Sequence, residues 1–138
     1  MHDTVLIAHL IGLMMGAGGG FGATIAARTG AKLPPEQAGP LRALGPKLAR
    51  LSSTGLALMW ATGLTLAATQ GGFAGMPALF WVKIAFVLTL TLAAIATEVT
   101  YCEIKSGKVE AAARLAILGP IAGASSMLAV VFAILTFH

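Results

Sequence analysis

The sequence predicts an all-α integral membrane protein, a four-helix up-down bundle that forms a single domain over residues 1–138. Three observations predict it. Apolar residues make up 57% of the chain and charged residues 10%, against about 25% charged in soluble domains. A soluble fold of this size needs far more polar surface, so the solvent is lipid. The apolar residues gather into long runs at 4–27, 47–69, 78–102 and 115–137, each sufficient for a hydrocarbon core that takes about 20 helical residues. No strand-type alternation competes, and backbone groups in hydrocarbon must bond within their own segment, which makes the runs helices.

The first run, 4–27, has His9 as its one ionisable side chain. It is too long for the apolar region of a secretory signal, and Met1-His2-Asp3 lacks a basic start, so a retained helix is expected. The connection 28–47 carries Arg28, Lys32, Arg42 and Lys47 against Glu36. Its prolines, Pro34, Pro35, Pro40 and Pro46, are expected to break it into turns or one short surface helix. Pro46 also suits the first turn of the next helix, where its missing N–H costs nothing. That helix has Arg50 at its inner mouth and Trp60 near mid-depth. The turn 70–77 holds Gly71, Gly72, Gly75 and Pro77 and no charge. Phe80-Trp81 and Tyr101 frame the third run as interface aromatics. A second polar connection follows with Lys105, Lys108 and Arg114, and the fourth run is uncharged up to His138.

The positive-inside rule sets both basic connections in the cytoplasm of a bacterial-type inner membrane, with both termini and the glycine turn outside. The net charge of +4 is thereby a topology signal. The expected partner is the lipid bilayer, and no nucleic acid.

Depth then selects candidates for chemistry. His9 lies about 7–8 Å into its span at 1.5 Å per residue, and Lys83 lies at matching depth in the third. Gly12, Gly16 and Gly20 share a helical face with His9. Such a groove admits either a neighbouring helix or a flat ligand hung from the histidine. In the plain reading His9 hydrogen-bonds a nearby threonine or carbonyl. In the sharper one its neutral imidazole is an axial ligand and the metal site of a haem b. Lys83 either snorkels to the interface or points inward as a second ligand or a carboxylate partner. Arg50, near Glu98, forms an ion pair or holds a propionate, and Trp60 packs the core, faces lipid or walls a cofactor. Met14, Met15, Met59 and Met127 are gap-fillers or soft ligands that raise copper as the alternative metal. His2 and His138 are a further surface metal candidate. The single cysteine, Cys102, excludes an internal disulfide and any multi-cysteine zinc or iron–sulfur centre. No serine triad, phosphate loop or pair of carboxylates at catalytic depth is present.

Ile7-Ala8-His9-Leu10, Leu48-Ala49-Arg50-Leu51 running into Ala61-Thr62-Gly63-Leu64, and Trp81-Val82-Lys83-Ile84 touch three of the four helices. Together they resemble the HemJ-type protoporphyrinogen oxidases and the wider group that includes the CopD copper-resistance membrane domain. The resemblance implies a b-type haem oxidoreductase of the inner membrane acting on a tetrapyrrole, with His9 as iron ligand and Lys83 and Arg50 near the haem or its substrate. The first helix departs from that pattern, reading Gly18-Gly19-Gly20-Phe21-Gly22 where the family carries Trp, Pro, Arg and Tyr. This shifts the expectation from the specific oxidase toward haem binding for electron transfer on a tetrapyrrole or quinone. The rivals are a structural or assembly subunit, packed in a homo-oligomer or a larger membrane complex through its glycines, and a CopD-like copper-handling protein.

Overall fold

The computed structural model describes residues 2–69 and 71–137. Four helices account for nearly all of them: α1 (His2–Lys32), α2 (Pro35–Thr69), α3 (Ala78–Lys105) and α4 (Ala112–Phe137), with a 3-10 turn at Val109–Ala111 leading into α4. Among the described residues there is no strand. All four helices are long and apolar enough to cross a membrane, so the all-α bundle and its multi-pass character stand as predicted.

The helix ends do not stand where the apolar runs placed them. Arg28 and Lys32 finish α1, while Pro40, Arg42, Pro46 and Lys47 all lie inside α2. The connection between these helices thus shrinks to Leu33 and Pro34. The Pro34 carbonyl accepts the N–H groups of Gln37 and Ala38 at 2.9 and 3.0 Å, and Pro35 takes the first helical position, where its fixed φ is already helical. Pro40 and Pro46 each remove one bond to the carbonyl four residues back, at Glu36 and Arg42. Both of those residues are exposed at the polar end, where water can take the freed carbonyl. An apolar count sees the part of a helix that lipid covers; α1 at 31 residues and α2 at 35 run about 46 and 52 Å, past a hydrocarbon core of about 30 Å.

Glycines close the other helix ends. Gly71 has φ 98° and the Gly72 N–H reaches the Ala67 carbonyl at 3.0 Å; Gly107, at φ 100°, precedes Lys108, whose N–H reaches Glu103 at 3.0 Å. Both are left-handed helix terminations that a side chain would strain. Arg114 then bridges back to Glu103 at 2.8 Å.

Each helix touches its neighbours in a ring, and the diagonal pairs stay apart. The closest pairs are the two hairpins, α1 with α2 and α3 with α4. In the first hairpin the glycines explain the approach. A Cβ on Gly19 would stand 2.6 Å from the Leu48 carbonyl oxygen and Ser52 nitrogen, and one on Gly12 would stand 2.9 Å from the Gly55 carbonyl oxygen. The bare backbones also let Ser52 Oγ donate to the Gly16 carbonyl at 2.7 Å across the interface, the kind of interhelical bond that membrane bundles use. The second hairpin is packed by side chains, with Phe86 and Phe132 stacked at 5.5 Å.

Of the two occupants open to the glycine face of α1, a neighbouring helix or a flat ligand, helix α2 takes the space beside Gly12 and Gly19. The ridge is also turned from the predicted one. Gly19 is among its tightest points, while Gly18 has nothing within 4 Å.

Candidate functional site

The loose junctions between the hairpins leave a cavity of about 320 Å³ at the centre of the bundle. Its titratable lining is His9 from α1 and Lys83 from α3, the two side chains that depth alone had matched. Each lies within electrostatic reach of the other. Leu10, Leu13, Leu56, Val87 and Val130 supply apolar walls. Small residues flatten two sides: Gly16, Ala17 and Gly20 on α1, and a stripe from Gly119 to Ala133 on α4.

The tautomer of His9 follows from its partner. His9 Nδ1 lies 2.8 Å from Thr62 Oγ1. The single hydroxyl proton of Thr62 is directed to the Leu58 carbonyl at 2.7 Å, one turn back on α2. Toward the imidazole, then, Thr62 Oγ1 is an acceptor, and Nδ1 carries the hydrogen. The remaining nitrogen, Nε2, keeps its lone pair. Gly63 makes room for this arrangement, since a Cβ there would stand 3.4 Å from His9 Cε1. The plain expectation, a threonine-bonded histidine, is therefore met. The same bond also prepares the ring as a ligand, because an imidazole whose Nδ1–H is held by an oxygen presents Nε2 in a fixed direction.

The other predicted residues divide. Gly16 lines the cavity beside His9 and has room for a Cβ, its nearest contacts being at 3.9 Å. Gly12 does not line it and faces α2. Arg50 is exposed, outside the cavity, and Glu98 accepts a hydrogen bond from Ser53 Oγ at 3.0 Å rather than pairing with it. Trp60 lies behind the wall formed by Leu56, Val87 and Ala129, its indole N–H donating to Thr91 Oγ1 at 3.0 Å. It is core packing, not a cofactor wall. Of the four methionines, Met59 reaches the cavity, while Met14 and Met127 are 74% and 63% exposed. Among the described residues no three of His, Cys, Asp and Glu gather as a metal-binding group, so a copper site would have His9 and the Met59 thioether to draw on. His138 and the side chain of His2 lie outside the described residues.

The α4 wall was not singled out from the sequence. Its signal is present in Gly119, Ala122, Gly123, Ser126, Ala129 and Ala133 at helical spacing. Gly119 and Gly123 also set how α4 meets α1, since they receive the Thr24 side chain and the Phe21 ring. Leu10, Phe21 and Ile134 line the cavity and are still 50%, 45% and 57% exposed, so the cavity opens along the α1–α4 seam onto the lipid-facing surface.

The cavity brings one imidazole and one lysine amine together among apolar walls, with small residues on two sides. The volume is at the low end of ligand pockets, about 300–1,000 Å³, so a large macrocycle would project through the open seam. Comparisons of the chain with protein-family models, with curated proteins and with solved structures returned no match.

Proposed function

We propose that this chain is a membrane-embedded b-type haem protein that passes electrons to or from a lipophilic partner, a tetrapyrrole or a quinone. In this reading it sits in a bacterial-type inner membrane with its basic end toward the cytoplasm. One observation carries the reading: His9, its proton held by Thr62, lines a lipid-accessible cavity that it shares with Lys83. When bound, the haem supplies a one-electron iron couple next to the bilayer. The chain's own residues do the rest. Thr62 fixes the imidazole's tautomer and direction. Lys83 offers its amine as a second ligand or its charge to a propionate. The leucine and valine walls keep the surroundings of the imidazole largely apolar. Among the lining residues there is no carboxylate, which favours electron transfer over chemistry that needs a protein base. The resemblance to HemJ-type oxidases agrees at His9 and Lys83 and lends no support at Arg50.

The test is the visible spectrum of protein purified from cells supplied with a haem precursor. A Soret band that is lost or shifted in His9→Ala is the expected result, and a colourless wild-type preparation overturns the proposal. The second reading is a structural or assembly subunit; since Gly12 and Gly19 are taken up by α2 of the same chain, it would have to meet its partners through other residues. Stoichiometric co-purification of other membrane subunits with a colourless chain would establish that reading instead.

A further inference from the structure

Toward the basic end the large cavity has a smaller neighbour, a chamber of about 60 Å³. Thr24, Ser52, Ser53, Thr97 and Tyr101 bring five hydroxyl groups to its walls. Gly20, Thr24, Ser52, Leu90, Gly119 and Ala122 line both spaces, so the two adjoin. Between Lys83 and Tyr101 the α3 wall rises about 27 Å, close to the roughly 30 Å thickness of a hydrocarbon core. Together the two spaces follow α3 over most of that thickness, and the smaller one, though mostly apolar, has the larger share of polar wall.

A water needs about 10–15 Å³ of such volume and two to four polar partners, so the chamber has room for about four. The hydroxyl protons are already directed elsewhere: Thr24 to the Gly20 carbonyl, Ser52 to Gly16, Thr97 to Ala93, and Ser53 to Glu98 Oε1. Their lone pairs are left to accept from water. Tyr101 adds a hydroxyl able to donate as well as accept. Glu98, joined to Ser53, sets a carboxylate beside the chamber.

We propose that this chamber is hydrated and connects the cavity of His9 and Lys83 to water at the basic end of the bundle, with Ser53, Glu98 and Tyr101 at its mouth. It gives the titratable groups of the cavity a route for protons that does not cross lipid. The inference stands on the chamber itself and holds whatever the cavity binds.

The experiment is cysteine accessibility to aqueous silver ion, a probe close to water in size, applied at the basic side of sealed vesicles. It uses the full chain carrying Cys102→Ser, because Cys102 is exposed. Silver protection is read as loss of later maleimide labelling after denaturation. Ala94→Cys and Thr97→Cys probe the chamber. Leu92→Cys and Ile95→Cys, at positions 68% and 56% exposed on the lipid side, are the comparison. Thiols in apolar surroundings stay protonated and unreactive, so the chamber positions are expected to react about tenfold faster or more. Equal rates overturn the hydration. Leu90→Cys lies where the two spaces join, and adding Ala94→Leu should slow its reaction from the basic side. An unchanged rate overturns the connection. Ser53→Cys gives an independent reading of the chamber if an Ala94 variant does not fold.

Discussion

Replacing Gly55 by alanine tests the packing that holds the first hairpin together. The added Cβ would stand 2.6 Å from the Gly12 carbonyl oxygen, 2.8 Å from Met15 Cβ, and against the Gly16 nitrogen. Two of those three atoms are backbone and cannot swing aside. Ordinary contact begins near 3.4 Å, so clearing the Gly12 oxygen alone takes about 0.8 Å, and the nearer Gly16 nitrogen asks for more. A gap of about 0.5–1 Å forfeits a quarter to a half of each contact's attraction, and overpacking of this kind costs about 1–3 kcal/mol. Gly18→Ala is the matched control, since nothing lies within 4 Å of its Cβ position. Both changes gain the same roughly 0.5–1 kcal/mol from removing a mid-helix glycine, so their difference isolates the clash. Gly55→Ala should therefore be about 1–3 kcal/mol less stable than Gly18→Ala. Reversible unfolding in mixed detergent, followed by far-UV circular dichroism, measures that difference. Equal stability would refute a glycine seam between the helices and return the bare face of α1 to other occupants.

Further expectations concern the cavity. Thr62→Val removes the acceptor on His9 Nδ1, and should weaken metal-centred binding about tenfold, the low end of such outer-shell effects; titration of the apoprotein with haem, read at the Soret maximum, checks this. Lys83→Met keeps a stem of similar length without the charge, so a ligand carrying carboxylates should bind more weakly while the fold persists; the same titration, with circular dichroism alongside, reads both. Trp60→Phe should lower stability by about 0.6–1.7 kcal/mol through loss of the bond to Thr91 and leave the spectrum of any bound chromophore unmoved. A spectral shift in that variant would place Trp60 at the ligand after all.

Much of the architecture was legible in the sequence because hydrocarbon imposes so few solutions. Charge scarcity and run length fixed the number and nature of the helices. Their ends were not legible, because Pro40 and Pro46 break helices only where the freed carbonyls lack water, and at the polar end of α2 they have it. For the site, depth was informative and face was not. His9 and Lys83 were matched by counting residues from the same side of the membrane, and they do line one cavity. Gly12 and Gly16 fall at equivalent helical spacing, yet one meets α2 and the other borders the void. Nothing in α1 alone encodes that difference, since it depends on where the α2 backbone lies beside each glycine. Trp60 and Arg50 show the same limit: depth left core packing, lipid and cofactor wall all open for Trp60, and the packing of α2 on α3 puts it in the core, while Arg50 is exposed outside the cavity.

The open flank between α1 and α4 also governs how any guest is gained or lost. Leu10 and Ile134 border the opening, while Thr24 against Gly119 keeps the far end shut. A molecule leaving sideways meets acyl chains before it meets bulk solvent, so its residence reflects partitioning into the bilayer as much as affinity for the protein. The surfactant chosen for extraction then helps decide whether the chain is recovered loaded or stripped, and reconstitution into nanodiscs before spectroscopy restores the reservoir with which the pocket exchanges.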